Sequence, residues 1–486
     1  EITTRLVGSE MCIRDRPYRT QGFAGRAAYT YADRYIAEFN FGYNGSENFA
    51  KGNRFGFFPS IAAGWIVSEE EFMRPVQNYI NKLKLRASYG LAGNDRFYND
   101  DGSQKRFAYI TTIGTTDGYK WGNSNAFYDK GGLREGDPGV ESLTWETVKK
   151  ANVGIELGLF KMAELQVDFF HERREDIFMQ RKNIPSSAGF PSAPWANYGI
   201  VTNKGFDISL DLNKQINKDW FISARASVTY AKNKIIEQDE DLGVLGAYRS
   251  STGKPVGQIF GLVNDGLYTE ADFEDVTTGK LKPGLPVPKF SDRVYPGDIK
   301  YVDFNGDGEI TETDKTAIGG TVNPELVYGF GINLSYKNID FGAFFQGNGR
   351  TYRIIGENQK NFLPGSTIGA EGNIFTNASD AWTVDNPSQD VFYPRLHMGY
   401  NANNAQVSDW WLKDMSMLRL KNVELGYSFS KNLIKKAAME YARIFVRGTN
   451  LLQFSKFDLW DPELNTSNGL KYPIMATYSI GLQVRF

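Results

Sequence analysis

The chain has 486 residues, with 55 Lys and Arg against 57 Asp and Glu for a net charge of −2. Near neutrality excludes the basic field that nucleic-acid binding needs. A mean hydropathy of −0.42 and the lack of any run of about 18 apolar residues exclude a helical membrane protein.

Aromatic residues make up 14% of the chain, with 34 Phe, 26 Tyr and 50 Gly. That composition leaves a soluble all-β protein or a membrane barrel, whose lumen-facing residues dilute the average hydropathy. Two histidines, His171 and His397, and one cysteine, Cys12, are too few for zinc sites or for Cys- or His-based nucleophilic catalysis.

The first segment, "EITTRLVGSEMCIRDR" (1–16), has no basic region followed by an apolar core, so it does not read as a secretory signal. Residues 6–16, "LVGSEMCIRDR", show no alternation. "EMCIRDR" is what GAG-ATG-TGT-ATA-AGA-GAC-AG would encode, and the stretch looks like a translated sequencing-library transposon adaptor. On this reading residues 1–16 are non-native, Cys12 is an artefact, and the protein proper begins near Pro17.

From there the dominant signal is period-two alternation. In 35–44, "YIAEFNFGYN", Tyr35, Ala37, Phe39, Phe41 and Tyr43 form one face; Glu38, Asn40 and Asn44 lie on the other. Near 220–230 the apolar face is Ile222, Ala224, Ala226, Val228 and Tyr230. In 328–336 it is Tyr328, Phe330, Ile332, Leu334 and Tyr336, and at the end Tyr478, Ile480, Leu482, Val484 and Phe486. Thirteen strands are predicted, at 24–31, 35–44, 54–66, 82–92, 147–158, 163–174, 204–213, 219–231, 326–337, 339–348, 416–429, 442–452 and 475–486. Units of about 9–11 residues fit a tilted membrane-spanning strand. Aromatics end the apolar faces, where an interfacial girdle belongs. A half-buried strand of a soluble sandwich gives the same alternation, but the connections favour the membrane. Short gaps (32–34, 159–162, 214–218, 338, 430–441) alternate with long ones (93–146, 175–203, 232–325, 349–415, 453–474), and 67–81 is intermediate with room for a short helix. Outer-membrane barrels are built in this way, and loops of this length are unusual unless functional. No linker divides residues 17–486, which are read as one unit.

Specific stretches then become recognisable. "GRAAYTYADRYIAEFNFGYNGSENFAKGNRFGFFPSIAAGWIVSEEEFM", "INKLKLRASYGLAGND", "VESLTWETVKKANVGIELGLF", "PGDIKYVDFNGDGEITETDKTAIGG", "RIFVRGTNLLQFSKFDLWDPE" and "YPIMATYSIGLQVRF" follow one another in order. In this series the chain resembles the SusC/RagA family of TonB-linked outer-membrane transporters. The resemblance implies an all-β fold, a transmembrane antiparallel β-barrel of 22 strands with an N-terminal plug. About 13 strands would be present here, with the plug, TonB box and signal sequence missing. It also implies import of glycans or peptides across the outer membrane, with membrane lipids around the barrel, a SusD-like lipoprotein as lid, and the TonB complex acting through the missing N-terminal region. A passive porin and a non-transporting surface glycan-binding β-protein are the alternatives. No enzyme is expected, since no nucleophile–base or paired-acid constellation stands out.

The sharpest chemical motif is "DFNGDGEITETD", 303–314, which follows the Ca²⁺-loop pattern D-x-[DN]-x-[DN]-G. Asp303, Asn305 and Asp307 take positions 1, 3 and 5, Gly308 the sharp turn, Glu309 the backbone-carbonyl position, and Asp314 position 12. Ca²⁺ is the expected ion; an Asx-rich turn without metal is the plainer reading. Phe486 at the carboxy terminus resembles the signal read by the outer-membrane assembly machinery. Trp121, Trp195, Trp382, Trp410, Trp411 and Trp460 are candidates for stacking on sugar rings, or for a girdle or partner interface. "WDPE" (460–463) resembles a family motif with no chemical role evident from sequence, and the two histidines read as isolated.

Overall fold

The computed structural model describes residues 18–99, 102–123, 126–190, 192–244, 246–356, 363–365, 376–435 and 438–486. Residues 1–16, with Cys12, lie outside these, as does the side chain of Trp121. No helix among the described residues is long and apolar enough to cross a membrane.

Thirteen long strands form one antiparallel sheet in chain order. They are β1 (Thr20–Tyr31), β2 (Tyr35–Ser46), β3 (Phe55–Ile66), β4 (Ile80–Asn94), β5 (Glu146–Leu159), β6 (Ala163–Gln180) and β7 (Trp195–Gln215). Then follow β8 (Trp220–Glu237), β9 (Leu326–Tyr336), β10 (Ile339–Gly349), β11 (Met417–Ser428), β12 (Tyr441–Ser455) and β13 (Thr477–Arg485). Each predicted strand has its counterpart, most with ends within a few residues; β6, β7 and β8 run on further on the long-loop side. The connections hold structure of their own. The 95–145 gap carries a hairpin, Ile113–Asn123 with Ala126–Glu135. The intermediate connection holds two 3-10 turns, Val67–Glu69 and Glu71–Val76, where a short helix was expected.

The polarity of the strands is inverted relative to a soluble sheet. Leu425, Val446 and Ile480, neighbours in one cross-strand row, are 54%, 50% and 76% exposed. On the opposite face of β11 and β12, Glu424 and Arg443 are partly sheltered and ion-paired, with Asp340 of β10 beside them. In water such an arrangement would leave a large apolar surface wet at about 25 cal/mol per Å². In lipid it is the favourable one, because pairing between neighbouring strands satisfies the backbone. Large aromatics gather at the short-turn ends. Tyr31, Tyr35 and Trp65 pair in one row, and Trp220, Tyr336 and Tyr427 stand in another.

The tight turns take backbone that most residues avoid. Ala32 and Asp33 between β1 and β2, and Phe160 and Lys161 between β5 and β6, have φ of 51° to 55°. Consecutive positive φ values suit the right-handed twist of flanking strands.

The residues divide into two compact units. One comprises the chain to Ile208 with 231–245 and 252–254; the other comprises Ser209–Tyr230, 246–251 and Pro255–Phe486. The first has a core of Phe49, Phe58, Phe97, Leu143 and Trp145 beneath its loops. The second is larger. Its core lies mainly in the loops and includes Leu262, Ile299, Tyr301, Ile310, Trp382, Tyr393 and Trp411.

Candidate functional site

Within the second unit, the end of β7 and β8 to β12 present a polar face. Alternation puts Asp340, Gly342, Phe344 and Gln346 of β10 on one side, and the register sets Gly342 opposite Glu424. A groove of about 690 Å³ is lined there by Asp211, Arg225, Asn333, Asp340, Asn422, Glu424 and Arg447, among others. Its charges are paired. Arg225 meets Asp211 at 2.5 Å, Arg447 meets Glu424 at 2.5 Å, and Arg443 bridges Glu424 at 2.6 Å and Asp340. Phe445 lies on this face, and any Cβ at Gly481 would overlap its ring, so glycine makes room for it. Such a wall is polar, and the charges named on it are all paired.

The long loops of this unit fold around the motif 303–314. Asp303 accepts from the backbone N–H of Gly306 (2.7 Å) and Gly308 (2.8 Å). Asn305 Oδ1 accepts from Asp307 N–H at 2.9 Å, and Asp307 Oδ1 from Glu309 N–H at 2.8 Å. Gly306 and Gly308 adopt φ of 74° and 83°, which the sharp reversal requires. Asp314 is fully buried; it accepts from Phe304 N–H at 3.0 Å and Thr311 N–H at 2.8 Å, closing a capping box with Thr311. The sequence places Asp314 as a position-12 ligand; the structure gives its oxygens to backbone N–H groups. Glu309 and Ile310 pair in parallel with Val287 and Pro288, which fixes the turn to the loop core. Among the described residues no group of three or more His, Cys, Asp or Glu side chains converges as a ready-made metal cage.

The tryptophans sort by burial. Trp195, Trp382 and Trp411 are buried and serve as core. Trp411 Nε1 donates to the Asn404 carbonyl at 2.8 Å, and Trp410 Nε1 to the Phe392 carbonyl at 3.1 Å. Trp460 packs edge-on against Phe457. Trp195, Trp382 and Trp411 are thus taken up by packing, while Trp410 and Trp460 stay half-buried. Phe486, by contrast, stands 82% exposed just past β13. His171 is exposed on β6. His397 is not isolated in space: its Nε2 lies 2.5 Å from Asp298 Oδ1, and Asp298 is fully buried and also bonded by Asn404 and the Tyr295 N–H.

The structure assigns a role to "WDPE". Asp461 caps a 3-10 turn, Pro462–Leu464, by accepting from Glu463 N–H. Its two oxygens also accept from Arg419 Nη2, at 2.5 and 2.6 Å. Glu463 stands 3.0 Å from Arg419 Nε. Arg419 is only 3% exposed and sits on β11 beyond a bulge. Phe344 pairs with Asn422 but Phe345 pairs with Leu420, so Lys421 is one residue in excess. The bulge turns Arg419 onto the face of Gln346 and Gln453, which it otherwise would not share. No alternation pattern predicts this; only the resemblance of "WDPE" to a family motif pointed to the spot.

No family model matches the chain. TonB-dependent receptor P26 of Formosa agariphila is 30% identical over 496 residues, covering 96% of this chain and 46% of that protein. TonB-dependent receptor SusC of Bacteroides thetaiotaomicron is 25% identical over 476 residues, covering 96% and 43%. A solved structure of the RagAB peptide importer in a closed-closed state matches with a TM-score of 0.71 at 24% identity, over 96% of this chain and 48% of that one. The chain is SusC/RagA-like. It spans about half the length of the curated relatives it matches. Its fold is that of the outer-membrane TonB-dependent barrels, and the inverted strands of this SusC/RagA-like chain cross the bacterial outer membrane as a multi-pass β-structure. The relatives are receptors rather than enzymes, in line with the expectation from sequence.

Proposed function

We propose that this chain supplies barrel wall and outer loops to a TonB-dependent importer of glycan fragments or peptides, working with a SusD-like lipoprotein. The observation that supports this reading best is similarity to TonB-dependent receptors along 96% of the chain. The physical requirements agree. Apolar side chains face lipid, while the opposite face offers paired charges along a wet groove. A solute moving along such a wall exchanges water for transient hydrogen bonds, with no deep electrostatic well to escape. The folded loops form a stable body at the end of the strands, which suits a surface partner. Energy would enter from the TonB complex through a plug region that the resemblance places before the barrel.

The test is uptake of labelled oligosaccharide and peptide mixtures by cells carrying the intact receptor, with and without TonB and the lipoprotein gene. Import should require both, and the lipoprotein should co-purify with the receptor in detergent. Uptake that persists without TonB would favour the passive porin. Binding without uptake would favour a surface glycan-binding protein.

We also propose Ca²⁺ as a structural clip in the 303–314 turn. Asp303, Asn305 and Asp307 would supply side-chain oxygens and Glu309 its carbonyl, while buried Asp314, its oxygens taken by Phe304, Asn305 and Thr311, would hold the turn and not the ion. Hard oxygen donors of this kind suit Ca²⁺.

A further inference from the structure

A second groove, of about 520 Å³, lies in the loops of the second unit and is lined by residues of 274–294. Arg293 is its fixed cation. The Arg293 stem lies across Gly279, where an added Cβ would come within 2.6 Å of Arg293 Cγ. Its guanidinium stacks on the ring of Tyr295, 4.5 Å from the centroid. Its Nε is buried without a hydrogen-bond partner. A second guanidinium, Arg395, lies 5.3 Å from the same centroid, so the two cations stand within about 10 Å of each other. Neither forms an ion pair among the described residues, whereas Arg225, Arg419, Arg443 and Arg447 of the same unit do.

The acids nearby are committed or peripheral. Buried Asp298 is held by His397, Asn404 and the Tyr295 N–H. Glu274 is paired with Lys280 at 2.7 Å. Asp292 is exposed and lines the groove, as does the exposed Lys282. Two preorganised guanidiniums kept close together without a counter-ion repel each other, and a buried Nε without a partner is costly to maintain. An anion in the groove offsets the repulsion, and carboxylate matches guanidinium geometry best.

We propose that the Arg293 groove, with Lys282 on its wall and Arg395 behind Tyr295, binds a carboxylate group of the imported solute. This deepens the import reading and rests on it for the solute's fate, but not for binding itself. A terminal peptide carboxylate and a uronic-acid carboxylate share the required chemistry.

The experiment is calorimetric titration of the intact receptor in detergent. One pair of probes is acetyl-tetraalanine and its amide. The other is a trigalacturonate and the corresponding neutral galactose trisaccharide. At least one acid should bind more tightly than its neutral partner, and the acid that does so identifies the source. Arg293→Gln should weaken that acid about tenfold or more and leave the neutral probe unchanged. Lys282→Gln, at an exposed site that folding does not depend on, should weaken it less and in the same direction. Equal binding of acid and neutral probes, no binding of either acid, or wild-type affinity in both variants would overturn the proposal. Failure here with TonB-dependent uptake intact removes the anion site alone. An acid preference without any uptake removes the import reading alone.

Discussion

Replacing Arg419 by methionine keeps the length of the side chain and removes its charge and hydrogen bonds. The Arg419 side chain is 4% exposed and carries two bonds to Asp461, one to Gln453 and an ion pair to Glu463. Removing one partner from a buried ion pair costs about 3–5 kcal/mol, because the remaining charge stays in a poor solvent. Asp461 and Glu463 retain some access to water, at 14% and 23%. That favours the lower end, about 3 kcal/mol, or roughly a hundredfold in the local opening equilibrium. The loss should concentrate in the loop 456–476, which the clamp ties to β11. Limited proteolysis of the receptor in detergent, followed by mass spectrometry, should find new cleavage there. Hydrogen exchange should show faster opening of Asp461–Asn465. Arg419→Lys should recover only part of the protection, since one ammonium cannot reach Asp461 and Gln453 from the place of Nη2 and Glu463 from the place of Nε together. Adding Asp461→Asn to Arg419→Met should cost much less than the sum of the two single changes. The reasoning fails if Arg419→Met shows wild-type cleavage and exchange in this loop.

Asp239 gives a pH prediction. Burial raises its pKa, but the Arg181 guanidinium and the N–H groups of Lys182 and Asn183 outweigh that and hold it at about 2, against 3.8 ordinarily. A depressed carboxyl stabilises the fold above its unfolded pKa, so the contribution is complete above about pH 4 and disappears as pH falls toward 2. Exchange at Lys182 and Asn183 should therefore accelerate over that window beyond the intrinsic rate, and Asp239→Asn should abolish the dependence. For the 303–314 turn, Ca²⁺ should raise the melting temperature, chelator should lower it, and Asp303→Asn with Asp307→Asn should remove the effect; chelator-insensitive melting with no metal by elemental analysis refutes the clip. Deleting Phe486 from the intact receptor should reduce the heat-modifiable, membrane-inserted fraction, and unchanged insertion would count against an assembly signal.

The membrane-crossing part of this fold was legible because lipid enforces strict alternation. Thr477–Arg485 and Leu326–Tyr336 could be read nearly residue by residue for this reason. Outside lipid that demand lapses. The early part of β7, "WANYGIVTN", mixes polar and apolar residues on both faces, so its length was underestimated. The hairpin Ile113–Glu135 was missed for a similar reason: "GTTDGYKWGN" carries turn residues through a paired strand. The loop tryptophans resembled ligand platforms because sequence cannot show that Trp382 and Trp411 enter a core assembled from distant segments. His397 and Asp298 are 99 residues apart, beyond any local pattern. The Asx turn at 303–308 was fully visible, since its hydrogen bonds lie within a few residues.

The extra residue at Lys421 sets a reading frame for β11. From Asn422 toward the short turn, even-numbered residues share the face of Asp340; from Leu420 back to Met417, odd-numbered ones do. A strand has no intermediate state between these phases, because a slip of one residue exchanges its faces completely. Substituting Lys421 leaves the frame in place. Deleting it would let Leu420 follow Asn422 in regular pairing, so Arg419 would still stand opposite Gln346. Losing any other single residue from the run Met417–Leu420 would turn the part before the cut to the opposite face. Lys421 is therefore the one position of this stretch where a residue can be lost without exchanging the faces against β10.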